Sequence, residues 1–178
     1  MEPTLIAPID AAQRQAVRLA TERCLRRAGE LCRRDFASIP VSFDLTGRSA
    51  GMYLVRNGRR SIRYNAYLFA KYFEDNLAVT VPHEVAHYVT DMLHGLHRVR
   101  PHGKEWQAVM RSLGVEPRAC GDYDLSGVPV RRQRRFTYVC GCTTHRLTTQ
   151  RHNKVHRGEA IYRCRCCSGP LVFAGVPE

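Results

Sequence analysis

The spacing of apolar positions changes period along the chain, and each change marks an element. From Ala11 to about Phe36 the repeat is helical: Val17, Ala20, Cys24, Ala28 and Leu31 share a stripe, Leu25, Cys32 and Phe36 widen it, and Asp10 stands ahead as an N-cap. The opposite face carries Arg14, Arg18, Arg26, Arg33 and Arg34, the composition of a solvated surface. After Pro40 the period drops to two. Val41 to Leu45 reads as a strand. Met52 to Arg56, Asn57-Gly58 and Arg59 to Tyr64 read as a hairpin, since both turn residues tolerate the positive φ of a type I′ turn. These runs predict a small antiparallel sheet of about three strands.

Tyr67, Leu68, Phe69, Tyr72 and Phe73 suit a short helix within 65–76. A longer helix follows, starting between Asn76 and Val81 and running to Leu93. Pro82 fits its first turn, where a missing N–H costs nothing, whereas an earlier start requires a local kink. Gly95 is the natural C-cap and Pro101 a stop. Trp106, Val109, Met110 and Leu113 then repeat at i, i+3, i+4 and i+7, an amphipathic helix closed by Gly114. Glu116 to Val130 has no sustained period and reads as a connector, ended by Arg131-Arg132-Gln133-Arg134-Arg135. From Phe136 onward short β-prone runs alternate with cysteines. The pattern as a whole is α+β: helices around a small sheet over 1–116, a basic linker over 117–135, and a small β domain over 136–178.

Composition sharpens this picture. With 178 residues and 44% hydrophobic content, the chain has one core of ordinary size and a minor unit. No apolar block resembles a signal peptide, and no run approaches the roughly 18 residues of a membrane helix, which predicts a soluble cytoplasmic protein with no membrane association. The net charge of +12 is uneven: residues 1–129 hold 18 Lys/Arg against 14 Asp/Glu, residues 130–178 hold 10 against 2. A basic tail of this kind is the footprint of a polyanion binder, with DNA the expected partner. Of eight cysteines, Cys140, Cys142, Cys164, Cys166 and Cys167 fall in tight groups, which reads as a metal site in a reducing compartment. Cys24, Cys32 and Cys120 are scattered and read as buried or bystander thiols.

The long central helix carries His83 and His87 four residues apart with Glu84 between them, so two imidazoles share one face and can reach one metal ion. A catalytic zinc usually takes three protein ligands and leaves a position open. Thr90 and Leu93 stand where a Gly-x-x-His continuation would place its glycine and histidine, so the third ligand comes from His94, His97, His102 or Glu105. His94 shares the face but lies about 10.5 Å further along the helix, and His97 would require the loop to double back at once. His102, returned by the loop and anchored by the helix of Trp106, is favoured, with Glu105 next. Glu84 has the place of a general base acting on a metal-activated water. Tyr64, Tyr88 or an arginine are candidates to stabilise the oxyanion.

A second, structural zinc has its ligands in Cys140, Cys142, Cys164 and Cys167, the geometry of a zinc ribbon. The Cys140–Cys142 spacing is one residue tight, which leaves His145 as an alternative ligand and Cys166 as a weaker one. Arg131, Arg132, Arg134, Arg135, Arg151, Lys154 and Arg157 are the candidate phosphate contacts, with Tyr138 and Tyr162 available for base stacking.

The runs Val81 to His87, Pro101 to Trp106 and Arg151 to Cys164, together with Phe43 to Gly51, resemble the SprT family of zinc metalloproteases, whose eukaryotic Spartan relatives cleave proteins crosslinked to DNA. The likeness extends from about Phe36 to Phe173. The resemblance implies a zincin-like metalloprotease domain with His83, His87 and His102 on a catalytic zinc and Glu84 catalytic, protein substrates, and a ribbon on the DNA-binding side; it favours His102 over Glu105. Cys166 beside Cys167 departs from the expected pattern. Two rival readings are a zinc-stabilised nucleic-acid-binding protein whose hydrolase site is silent, and a general protease without a DNA role. The sequence leaves the oligomeric state unspecified.

Overall fold

A computed structural model describes residues 5–119, 121–130 and 134–177, which form two compact units, Met1–Val130 and Arg131–Glu178. The first begins with helix α1 (Ala11–Cys32), capped by Asp10 and Gln13 in a reciprocal capping box and ended by Arg33 in a left-handed conformation at φ 48°. It therefore stops short of Phe36. Its buried face is Val17, Thr21, Leu25 and Ala28, while Leu31 is exposed. The stripe is rotated toward a polar residue because the Thr21 hydroxyl is satisfied inside the core, donating to the Val17 carbonyl and meeting the Tyr64 phenol at 3.1 Å.

Strands β2 (Gly51–Arg56) and β3 (Arg59–Tyr64) form the predicted hairpin, with Asn57 and Gly58 at φ 51° and 74°. Strand β1 is shorter than predicted, Val41–Ser42, and the sheet order is β1-β3-β2. β1 lies parallel to β3, so the sheet is mixed and not antiparallel throughout. The cause is topological: the chain alternates direction from β1 to β3, but the hairpin folds β3 into the space beside β1.

Helix α2 (Ala66–Lys71) is capped by Asn65, and a single turn α3 (Phe73–Asp75) leads into a π-helical turn, Asn76–Thr80, and helix α4 (Val81–His94). The π turn is the local accommodation that an early helix start requires: the Val81 N–H bonds the Asn76 carbonyl five residues back, immediately before Pro82. Asn76 is wholly buried and fully used, its amide donating to the Leu68 and Tyr72 carbonyls and its oxygen accepting from Thr80. Gly95 caps α4 at φ 85°, and α5 (Lys104–Ser112) packs Trp106, Val109 and Met110 into the same core.

Part of the segment predicted as a linker folds onto this unit. Lys71 Nζ donates to the Asp124 carboxylate, the Ser126 hydroxyl and both residues' carbonyls at 2.8–3.0 Å. Val128 is buried with Leu68 and Ala50. Specific polar pairing, which leaves no periodic trace in the sequence, holds this segment in place.

The second unit has strands β4 (Arg135–Val139), β5 (Thr144–Thr148) and β6 (Val172–Pro177) in the antiparallel order β5-β4-β6. A helix not predicted, α6 (Thr149–His156), follows β5 and is capped by Thr148. None of its residues is buried, so it lacks the apolar stripe that marks a helix in sequence. The buried core is Phe136, Tyr138, Leu147, Cys164 and Leu171, too small to hold some 45 residues without a crosslink or metal. Among the described residues no helix is long and apolar enough to cross a membrane.

Candidate metal centres

In the first unit, helix α4 and the turn before α5 bring His83, His87 and His102 together. Their Nε2 atoms form a triangle with sides of 3.2, 3.1 and 3.1 Å. A tetrahedral zinc with nitrogens at 2.0–2.1 Å calls for separations of about 3.3 Å. Three neutral imidazoles cannot satisfy one another at such distances, because each pair needs one donor and the lone pairs converge. The donor set and its spacing therefore fit a tetrahedral cation. His94, His97 and Glu105 stand outside this group.

The rings are held from behind. Trp106, 1% exposed, packs its indole against all three at centroid distances of 4.7, 5.5 and 4.7 Å and donates its N–H to the His83 carbonyl at 3.2 Å. Gln107 donates to the His102 carbonyl, and His83 has a hydrogen bond with the Arg118 backbone. Burial is the main cause that lowers the histidine pKa values, to about 4 for His83 and about 3 for His87, with mutual repulsion adding to it; His102 is lowered by burial. The rings are thus neutral at physiological pH, the form that ligates metal.

Glu84 is 4% exposed. Burial pushes its carboxyl up to about 8, opposed by a hydrogen bond from the Tyr53 backbone N–H on β2. Tyr53 also lays its ring parallel to that of His87 at 6.5 Å and donates its hydroxyl to Asp91 Oδ2 at 2.6 Å, where Arg60 Nε also arrives at 2.7 Å. This Tyr53–Asp91–Arg60 network went unread in the sequence, since nothing in a hairpin's alternation says which helix residue its strand side chains will meet. Of the oxyanion candidates, Tyr64 is fully buried against Thr21, and the Tyr88 hydroxyl donates to the Ala37 carbonyl, so neither phenol is free.

In the second unit Cys140, Cys142, Cys164 and Cys167 place their sulfurs within 4.8 Å of one another. The Cys140–Cys142 and Cys142–Cys164 separations are 3.5 and 3.6 Å. Four thiolates at 2.3 Å from zinc stand about 3.8 Å apart, so this cluster also fits. The Cys142 N–H above all, with a hydrogen bond from His145, holds the Cys140 thiol down at about 5, and the N–H groups of Cys167 and Cys166 lower Cys164. His145 Nε2 lies 3.4 Å from Cys140 Sγ but outside the four-sulfur group, and Cys166 is exposed and outside it, contributing its backbone N–H to Cys164 Sγ.

Arg134, Arg135, Arg151, Lys154 and Arg157 are exposed, and Arg157 also pairs with both carboxylate oxygens of Glu159. Arg134 and Arg151 lie over the Phe136 and Tyr162 rings at 5.2 and 5.5 Å. Arg131, Arg132 and Cys120 lie outside the described residues.

Comparison with known proteins agrees with this layout. Residues 21–134 match the model of the SprT-like family, and residues 134–175 match that of the SprT-like zinc ribbon domain. A Vibrio parahaemolyticus protein named Protein SprT is 40% identical over 155 residues, covering 86% of this chain and 89% of its own. The Actinobacillus succinogenes protein of that name is 38% identical over 83% and 84% of the two chains, and that of Pseudomonas paraeruginosa is 40% identical over 86% and 92%. No solved structure gives a significant match. The second unit is thus a zinc ribbon with a four-cysteine cluster, and the chain as a whole belongs to the SprT-like family.

Proposed function

We propose that the protein is a zinc-dependent endopeptidase that cuts proteins at or near DNA, DNA-crosslinked proteins among them. The observation that carries this reading is the convergence of three neutral imidazoles, His83, His87 and His102, beside a buried carboxylate on the same helix. When bound there, zinc supplies Lewis acidity, polarising a carbonyl oxygen and acidifying water. The chain does the rest. Burial alone would keep Glu84 protonated near neutral pH, but the positive charge of a cation held by the three histidines would draw it back to the carboxylate; seated on the Tyr53 N–H, that carboxylate would accept a proton as water attacks the peptide carbonyl and deliver it to the departing amine. Trp106 packs behind the three rings, so that side of the site is closed to water and charges there interact more strongly than in bulk solvent.

A DNA role is supported by the ribbon, where 10 Lys/Arg stand against 2 Asp/Glu in residues 130–178 and Arg135, Arg151 and Lys154 are exposed. The reading places the protein in the cytoplasm, a reducing compartment that keeps the clustered cysteines as metal-binding thiols. The test is cleavage of a DNA-bound protein by enzyme stripped of metal and then reloaded with zinc, with DNA affinity followed against salt. Cleavage returns with zinc, and affinity falls steeply with salt as counterions are released. Metal-independent cleavage contradicts the zinc reading, and no binding at low salt removes DNA from the account.

A further inference from the structure

The first strand of the hairpin opens on a glycine, a weak strand former that packs nothing against its neighbours. Its backbone gives no reason for the choice, because Gly51 is not among the residues at positive φ. Space does. A Cβ at position 51 would lie 2.5 Å from Glu84 Oε1, 2.6 Å from its Cγ and 2.9 Å from its Cδ. Rotating the tip of Glu84 cannot clear all three atoms.

The strand cannot retreat either. Gly51 is paired with Tyr64, which is fully buried. The residue before it is clamped by Asn65, whose N–H donates to the Ala50 carbonyl at 2.8 Å and whose amide donates to the Gly47 and Ser49 carbonyls. Asn65 is itself wholly buried and its oxygen caps α2. The bare backbone at Gly51 and the Tyr53 N–H two residues on therefore make a fixed seat for one carboxylate.

We propose that Gly51 is a positioning residue for Glu84: by lacking a side chain it lets the carboxylate close onto β2, and any larger residue drives that carboxylate out of its working position. To reach an ordinary contact of 3.4 Å from an alanine Cβ, Oε1 must retreat by about 0.9 Å. Displacements near 1 Å cost on the order of a hundredfold in rate. The kinetic part of this inference rests on the peptidase reading of Glu84, while the contact itself does not.

The experiment is Gly51→Ala in two backgrounds, wild type and Glu84→Ala, read by zinc content, Tm and kcat against KM on a protein substrate. Gly51→Ala keeps its zinc, loses on the order of a hundredfold in kcat at little change in KM, and lowers Tm by roughly 5 °C. In the Glu84→Ala background the same substitution costs nothing further in Tm, because the atoms it struck are gone. Should Gly51→Ala alone fail to fold, the double variant folds. An equal Tm loss in both backgrounds, or an unchanged kcat, overturns the proposal. If wild type cleaves nothing, the peptidase reading fails, and the Tm comparison still decides whether Gly51 exists to seat Glu84.

Discussion

The Nε2 atoms of His83 and His102 lie 3.1 Å apart although nineteen residues separate them. The gap is closed by the backbone of His102, held at φ 57° in a turn sealed by the Gly103 N–H on the Arg100 carbonyl. Pro101 has the second position of that turn and His102 the third, where glycine or asparagine is usual. A histidine kept in the left-handed region marks a place where the side chain matters more than backbone comfort.

That strain is measurable. In metal-free protein, His102→Gly should be more stable than His102→Ala by about 1 kcal/mol, because alanine retains the Cβ that opposes positive φ. Both variants should lose the first metal centre. Chemical denaturation after chelation checks the order, and alanine matching glycine would show that the turn is unstrained.

Asp91 and Arg60 provide a pH test. The Asp91 side chain is 1% exposed and that of Arg60 37%. Burial raises the Asp91 pKa, but the hydrogen bonds from Arg60 and Tyr53 outweigh it and leave the group below its ordinary value. A folded pKa depressed in this way contributes stability that is present above the unfolded value near 4 and is lost as pH falls through the folded value. Arg60→Ala should therefore cost about 2 kcal/mol at neutral pH, less than a fully buried pair because Arg60 is partly solvated. The difference from wild type should shrink below about pH 4. A gap that is constant down to pH 2 would assign the loss to packing of the Arg60 stem.

The ribbon ligands separate by metal counting. Cys164→Ser should reduce bound zinc from about two ions per chain to about one and leave the ribbon open to proteolysis, since its core cannot fold alone. His145→Ala should keep both ions, because its ring lies beside the four sulfurs and not among them. Loss of an ion in His145→Ala would move that histidine into the ligand set.

Much of this was legible in the chain, for identifiable reasons. Asn57-Gly58 specified the hairpin, the i, i+4 spacing put His83 and His87 on one face, and Trp106 marked the helix behind them, because each signal is local. The parallel pairing of β1 with β3 was not local and was missed. Helix α6 was missed because it buries nothing, and the docking of 123–130 because it depends on Lys71 finding Asp124 and Ser126 more than fifty residues later. Gly51 stood just outside the strand read from Met52, and the structure makes it the first residue of that strand, where a glycine marks close approach. What approaches it is a fact of the tertiary fold.

The central claim is that Glu84 moves protons for a hydrolysis at the histidine centre. It is tested most directly by comparing wild type and Glu84→Gln at equal zinc content on one DNA-bound protein substrate. The amide keeps the size of the side chain but cannot serve as a base, so cleavage should fall by at least about a hundredfold while zinc is retained. Equal cleavage by the two proteins would contradict the account.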